Sequence, residues 1–143
     1  MSNSTQFIQE NISVPTRCRA TIEITHKLRE LVSASNISTG LCHVFIHHTS
    51  ASLIICENAD IDVQTDLETF MSKLVRDGDP AFIHTAEGDD DMPAHIRSIL
   101  TQTELSIPIV DGNLKLGTWQ GVYLWEHRTA PHTRSITLSM MGQ

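Results

Sequence analysis

Three histidines, His48, His84 and His95, stand in polar settings where an imidazole can do chemistry. Neutral imidazole is a common metal ligand and transfers protons near pH 7. Three of them would hold a catalytic zinc and leave one position open. His48 leads a hydroxyl-rich run in which Thr49, Ser50 and Ser52 could hold an anion or phosphate, or could bond their own backbone in a turn. His84 precedes Glu87 by three residues, and His95 follows the acidic loop Glu87-Gly88-Asp89-Asp90-Asp91. The three histidines lie on separate elements, so their convergence on one ion is an expectation that spacing alone does not establish. The other five histidines read more simply as surface or packing residues.

Carboxylates form the second constellation. Glu57-Asn58-Ala59-Asp60 is followed by Asp62 and Asp66, and the last two are four apart and share a helix face. Paired carboxylates hold magnesium through water. Acidic residues in a first helical turn also simply complement the helix dipole. The third constellation is Gly117-Thr118-Trp119-Gln120-Gly121, which runs into a strand where Val122, Leu124 and Glu126 share a face. A carboxylate ending an apolar face is a candidate base or a buried ion-pair partner. Arg128, two residues on, could bind phosphate or be solvated. Cys18, Cys42 and Cys56 contain no Cys-x-x-Cys pair, so no zinc ribbon or dithiol motif is available. Cys42 and Cys56 sit in apolar runs and read as buried thiols. No Gly-x-x-x-x-Gly-Lys loop is present.

These groups need elements to position them. Alternation predicts strands over 7–14, 20–24, 41–48 and 53–57. In the third, His47 points away from the apolar face that His48 ends. Thr25 can cap a helix over 26–33. Asn58 or Asp60 can cap a longer helix over about 61–76, where Val63, Leu67, Phe70, Met71 and Leu74 form the expected core stripe. Asp77-Gly78-Asp79-Pro80 stops it. Asp91 can cap a short helix over 92–100. Strands follow over 105–110, 114–118, 122–127 and 134–141, with a hairpin turn at Asp111-Gly112-Asn113. This order predicts an α+β chain, a mainly antiparallel β-sandwich with two or three helices, as a single domain over 1–143 with a loose segment at 1–6.

The 143 residues carry 10 Lys and Arg against 17 Asp and Glu, a net charge of −7. That balance disfavours nucleic acid and anionic lipid as partners. No stretch reaches the ~20 apolar residues of a membrane span, and the polar start lacks signal-peptide features. The expected location is the cytoplasm, with no membrane partner.

His48-Thr49-Ser50-Ala51, Glu57-Asn58-Ala59-Asp60, His84-x-x-Glu87-Gly88, Ala94-His95-Ile96 and Leu116-Gly117-Thr118-Trp119-Gln120-Gly121 occur in the order seen in the YjbQ-like family, also called the secondary thiamine-phosphate synthase family. The resemblance spans about 17–141. It implies an α+β sandwich, a homotrimer, and a cleft near subunit boundaries that binds a metal or anion. His48, His84 and His95 match the family's histidines. Glu57, Asn58, Asp60 and Asp66 match its acidic and amide positions, and Thr118, Trp119, Gln120 and Glu126 its late motif. The segment 89–93 is longer and more acidic than the commoner Glu-Gly-Asn form.

The implied activity is a weak thiamine-phosphate synthase, a transferase joining a pyrimidine pyrophosphate to a thiazole phosphate. In it, Glu126 or Asp66 would orient an amine or act as base, and Arg128 would neutralise phosphate. A divalent metal, zinc or magnesium, would stabilise the departing charge. The alternatives are a metal-dependent hydrolase using a His-ligated water, and a non-catalytic trimeric module that binds a small phosphorylated metabolite.

Overall fold

The computed structural model describes residues 4–143. Eight strands and three helices run in the order β1 (Gln6–Pro15), β2 (Ala20–Glu23), α1 (Thr25–Ser35), β3 (Gly40–Ile46), β4 (Ala51–Glu57), α2 (Ile61–Leu74), α3 (Asp91–Leu100), β5 (Glu104–Val110), β6 (Asn113–Leu114), β7 (Gln120–Glu126) and β8 (Thr133–Gly142). The strands form a five-stranded sheet, β1-β8-β3-β5-β6, and a three-stranded sheet, β2-β7-β4, with antiparallel pairing throughout. The expected α+β class and antiparallel sandwich are thus what the chain forms. Part of the loose segment expected over 1–6 lies outside the described residues, and Gln6 is already paired with Gly142.

Period-two alternation explains the larger sheet. Cys42, Val44 and Ile46 of β3 are buried and lie beside Met140, Leu138 and Ile136 of β8. Their neighbours turn outward, and His47 bonds Thr137 Oγ1 at 2.7 Å on the open face. With Leu28 and Val32 of α1 and Leu53 and Leu124 of the smaller sheet, these side chains form the main core. Asp111 and Gly112 both have positive φ, 50° and 78°, and Val110 pairs with Asn113. That is a two-residue hairpin turn, and Gly112 adopts its φ at no steric cost. Strand β6 stops at Leu114, well short of the predicted 114–118.

The helices depart from expectation in instructive ways. Asp60 caps α2, its Oδ1 accepting from Asp62 N at 2.9 Å. The predicted core stripe of α2 is only partly buried, however. Met71 is buried, whereas Phe70 and Leu74 are 64% and 57% exposed. The smaller sheet offers this helix only a small second cluster, centred on Trp125 and Val75. Thr25 is the first residue of α1 and does not cap it. Its hydroxyl accepts from Val122 N at 2.8 Å and donates to Glu23. Asp91 does not cap α3 either, because its carboxylate is drawn to His84, His95 and Arg128. Cys42 is fully buried, and burial pushes its thiol up to about 11. Cys56 is only half-buried and Cys18 is exposed.

Candidate metal centre

Helix α3 and the loop before it bring His84, Asp91 and His95 together. One ligand atom from each lies within 4.8 Å of the others, and this is the group of potential ligands found among the described residues. The local reason is helical periodicity. Asp91 and His95 are four apart and share a face of α3, and the 84–90 loop folds His84 back over it. Asp91 Oδ2 lies 2.7 Å from His84 Nε2 and 3.2 Å from His95 Nε2. The Asp91 side chain is 3% exposed, while His84 and His95 open to solvent.

Supporting contacts orient His95 and Asp91. His95 Nδ1 lies 3.0 Å from the Thr49 carbonyl, which only accepts, so Nδ1 must carry a proton. In the neutral ring, Nε2 then presents a lone pair to the Asp91 carboxylate. Two lone-pair-bearing atoms 3.2 Å apart repel one another, and a metal ion between them would turn that repulsion into shared coordination. The residues therefore fit a divalent ion, and a carbonyl that fixes a histidine tautomer is the usual support for such a ligand. Asp91 Oδ1 faces Arg128 Nη1 at 2.9 Å, which leaves Oδ2 for the ion. Burial would raise the Asp91 carboxyl. The His84 hydrogen bond, the Arg128 charge and His95 outweigh it and hold the group below its ordinary range.

Arg128 is fully engaged. Its Nε donates to Asp90 Oδ2 at 2.9 Å, Nη1 faces Asp91, and Nη2 donates to the Glu87 carbonyl at 2.8 Å. Burial opposes ionisation of Asp90, but the bonds from Arg128 and Thr129 N bring its carboxyl down to about 2. Each of its three nitrogens thus already faces a carboxylate or carbonyl oxygen.

The expected third imidazole does not join this group. His48 Nε2 accepts from Ser135 N at 2.8 Å, and its Nδ1 lies 3.3 Å from Arg134. Burial and the Arg134 charge lower its pKa. Asp91 takes the third place because helical spacing ties it to His95, while hydrogen bonds to β8 hold His48. Its neighbour Thr49 still reaches the centre through its carbonyl.

The remaining candidates divide between two ends of the smaller sheet. Ala51 pairs with Glu126 at one end and Glu57 with Gln120 at the other. Six residues at ~3.4 Å each put these ends about 20 Å apart. The His84–Asp91–His95 cluster, Ser50, Ser52, Glu126 and Arg128 belong to the first end. At the second, Asn58 N donates to the Trp119 carbonyl at 3.0 Å, Glu57 Oε2 accepts from Asp60 N at 3.2 Å, and Gln120 Oε1 accepts from Gly117 N at 2.7 Å. Trp119 is 63% exposed, Thr118 is exposed, and Asp66 lies on the exposed face of α2.

Glu126 is fully buried, and no solvent reaches it to make it a proton acceptor. Its carboxylate accepts from Thr16 Oγ1 at 2.6 Å, Arg134 Nε at 2.8 Å, Arg134 Nη2 and Arg128 N. Burial raises its pKa, but these four donors more than compensate and hold it low. Of the two roles its strand position allowed, base or buried ion-pair partner, this geometry matches the second. Beside it, Ser52 Oγ lies 2.8 Å from His127 Nε2, and both are buried. Neither Thr16 nor Arg134 carries a sequence signal. The Asp91-x-x-x-His95 spacing did carry one, masked by the assignment of Asp91 as a helix cap.

Residues 10–143 match the family described as UPF0047 protein YjbQ-like. A UPF0047 protein of Synechocystis is 51% identical over 135 residues, covering 94% of this chain and 92% of its own. A crystal structure of a Clostridium acetobutylicum protein, described as uncharacterised and of the YjbQ/UPF0047 family, is 34% identical. It covers 93% of this chain and 98% of its own, at TM-score 0.79. A Sulfolobus solfataricus protein described as YbjQ-like and of unknown function superposes at TM-score 0.89, covering 98% of this chain and 100% of its own. At 24% identity it speaks to the fold alone.

Proposed function

The chain belongs to the UPF0047, YjbQ-like family, and on that premise we propose that His84, Asp91 and His95 form a divalent metal centre serving hydrolysis. The observation that carries this reading is His95, whose Nδ1 is committed to the Thr49 carbonyl and whose Nε2 is aimed at a carboxylate. Two imidazoles and one carboxylate suit zinc better than magnesium, which prefers oxygen ligands and retained waters. A bound zinc would supply Lewis-acid activation of water. The chain's own residues would hold Asp91 ionised through Arg128, keep His95 in one tautomer through Thr49, and leave the exposed side of His84 open for substrate.

The thiamine-phosphate synthase reading rests on the resemblance. Its two phosphorylated substrates call for cationic groups, and Arg128 is already committed to Asp90, Asp91 and Glu87. A small phosphorylated metabolite would therefore have to meet the metal itself. Self-association as a homotrimer also comes from the resemblance. It is supported by the exposed Phe70 and Leu74 on α2 and by the 20 Å between the two motif-bearing ends, which a neighbouring copy could bring together.

The test is hydrolysis of a panel of simple carboxylic and phosphoric esters by zinc-loaded protein. Turnover that disappears with chelator and in Asp91→Asn is expected. Turnover indifferent to both would defeat the hydrolase reading.

A further inference from the structure

Glu126 and Arg134 form a buried ion pair that touches none of the three ligands, yet two of its contacts lead to the residues supporting them. Arg134 Nη2 donates to the Ser50 carbonyl at 3.2 Å, and Nη1 lies against His48. These contacts pin the 48–50 loop, whose Thr49 carbonyl orients His95. Glu126 Oε2 accepts from Arg128 N at 3.2 Å, so the same carboxylate fixes the backbone of the residue whose guanidinium grips Asp91. Thr16 adds a tether to the β1–β2 connection, through its hydroxyl to Glu126 and its backbone to His132. One buried carboxylate thus joins the two supports of the metal centre.

We propose that the Glu126–Arg134 pair is a positioning element that sets the tautomer of His95 and the orientation of Asp91, through the 48–50 loop and Arg128. This rests on the metal-centre reading above. Every group facing the Glu126 carboxylate is a donor, so an amide there would set N–H against N–H on at least one side. Breaking a buried pair from one side leaves an uncompensated charge, here the Arg134 guanidinium, whose relief requires the 48–50 loop to shift.

The experiment compares Glu126→Gln and Arg134→Lys with Glu68→Gln. The last breaks a different pair, with a buried arginine, Arg97, that shares α3 with Asp91 and His95 but bonds only Glu68 and Ser72 through its side chain. Zinc affinity by competition titration should fall roughly 10–100-fold in the first two, the range typical of lost ligand support. It should stay at the wild-type value in Glu68→Gln, and Glu126→Asp should recover part of the loss. A second readout uses metal-free protein at pH 8, where ¹⁵N shifts of the His95 ring should show Nδ1 protonated in the wild type and a tautomer mixture in Glu126→Gln. If Glu126→Gln does not fold, Arg134→Lys carries both measurements. A folded variant with wild-type zinc affinity and an unchanged His95 ring overturns the inference. Should the wild type bind no zinc, the metal reading falls, and the ¹⁵N comparison alone decides whether the pair positions His95.

Discussion

His127 makes the acid stability of this fold measurable at one residue. The side chain is fully buried beside Ser52 and Trp125, and its Nδ1 has no protein hydrogen-bond partner among the described residues. Burial first, then the charges of Arg97, Arg19 and Arg134, bring its pKa down to about 3 from 6.5. The folded chain therefore keeps His127 neutral, whereas the unfolded chain protonates it below pH 6.5. Its contribution is fully present above pH 6.5 and is lost as the pH falls toward 3. One proton bound only by the unfolded state costs about 1.36 kcal/mol per pH unit. Between pH 6.5 and 4.5 the expected loss is therefore roughly 2–3 kcal/mol, a large share of a typical domain stability of ~5–15 kcal/mol. Asp90, Asp91 and Glu126, whose carboxyls are held low, lose their contributions mainly below about pH 5, at the acid end of this window. His48 is shifted in the same direction as His127, so the comparison must be between variants. Urea unfolding of wild type and His127→Gln, with chelator at each pH, should give slopes differing by about one proton over pH 5–6. Equal slopes would refute the assignment of a buried neutral imidazole.

Three further substitutions test packing and backbone geometry. Leu28→Ala removes a fully buried side chain between α1 and the sheets and should cost about 2–5 kcal/mol in chemical denaturation. Phe70→Ala, on the exposed stripe of α2, should change unfolding of the single chain by no more than about 0.5 kcal/mol. If the homotrimer forms through that stripe, the same substitution should lower the mass seen by light scattering. At Gly121, an added Cβ would come within 2.8 Å of Glu23 Oε2 and 3.0 Å of Asn58 Cβ. Gly121→Ala should therefore lower the melting temperature, and an unchanged value would show that the β7 entry is looser than its geometry.

The larger sheet was readable because alternation survives burial on one face. Cys42, Val44 and Ile46 go inward and His47 outward, as their parity requires. Helix α2 was readable as a helix and misleading as a core element. Period 3.6 reports an apolar stripe but not what covers it, and here Phe70 and Leu74 are left outside. Of the candidate site, His84 and His95 were visible as residue types. Asp91 was misassigned because nothing local tells a helix cap from a carboxylate that turns to His84, His95 and Arg128. For Glu126 the strand position left two roles open, base or buried ion-pair partner, because no local pattern shows that Arg134 and Thr16 will surround it. Distances of 110 residues along the chain, as between Thr16 and Glu126, leave no periodic trace.

Under the proposed function, His84, Asp91 and His95 hold the ion. Elemental analysis after zinc loading and removal of excess metal decides whether they do. One zinc per chain is expected in the wild type and in His48→Ala, with none in His84→Ala, His95→Ala or Asp91→Asn. Zinc retained by all three ligand variants, or lost from His48→Ala alone, would contradict it.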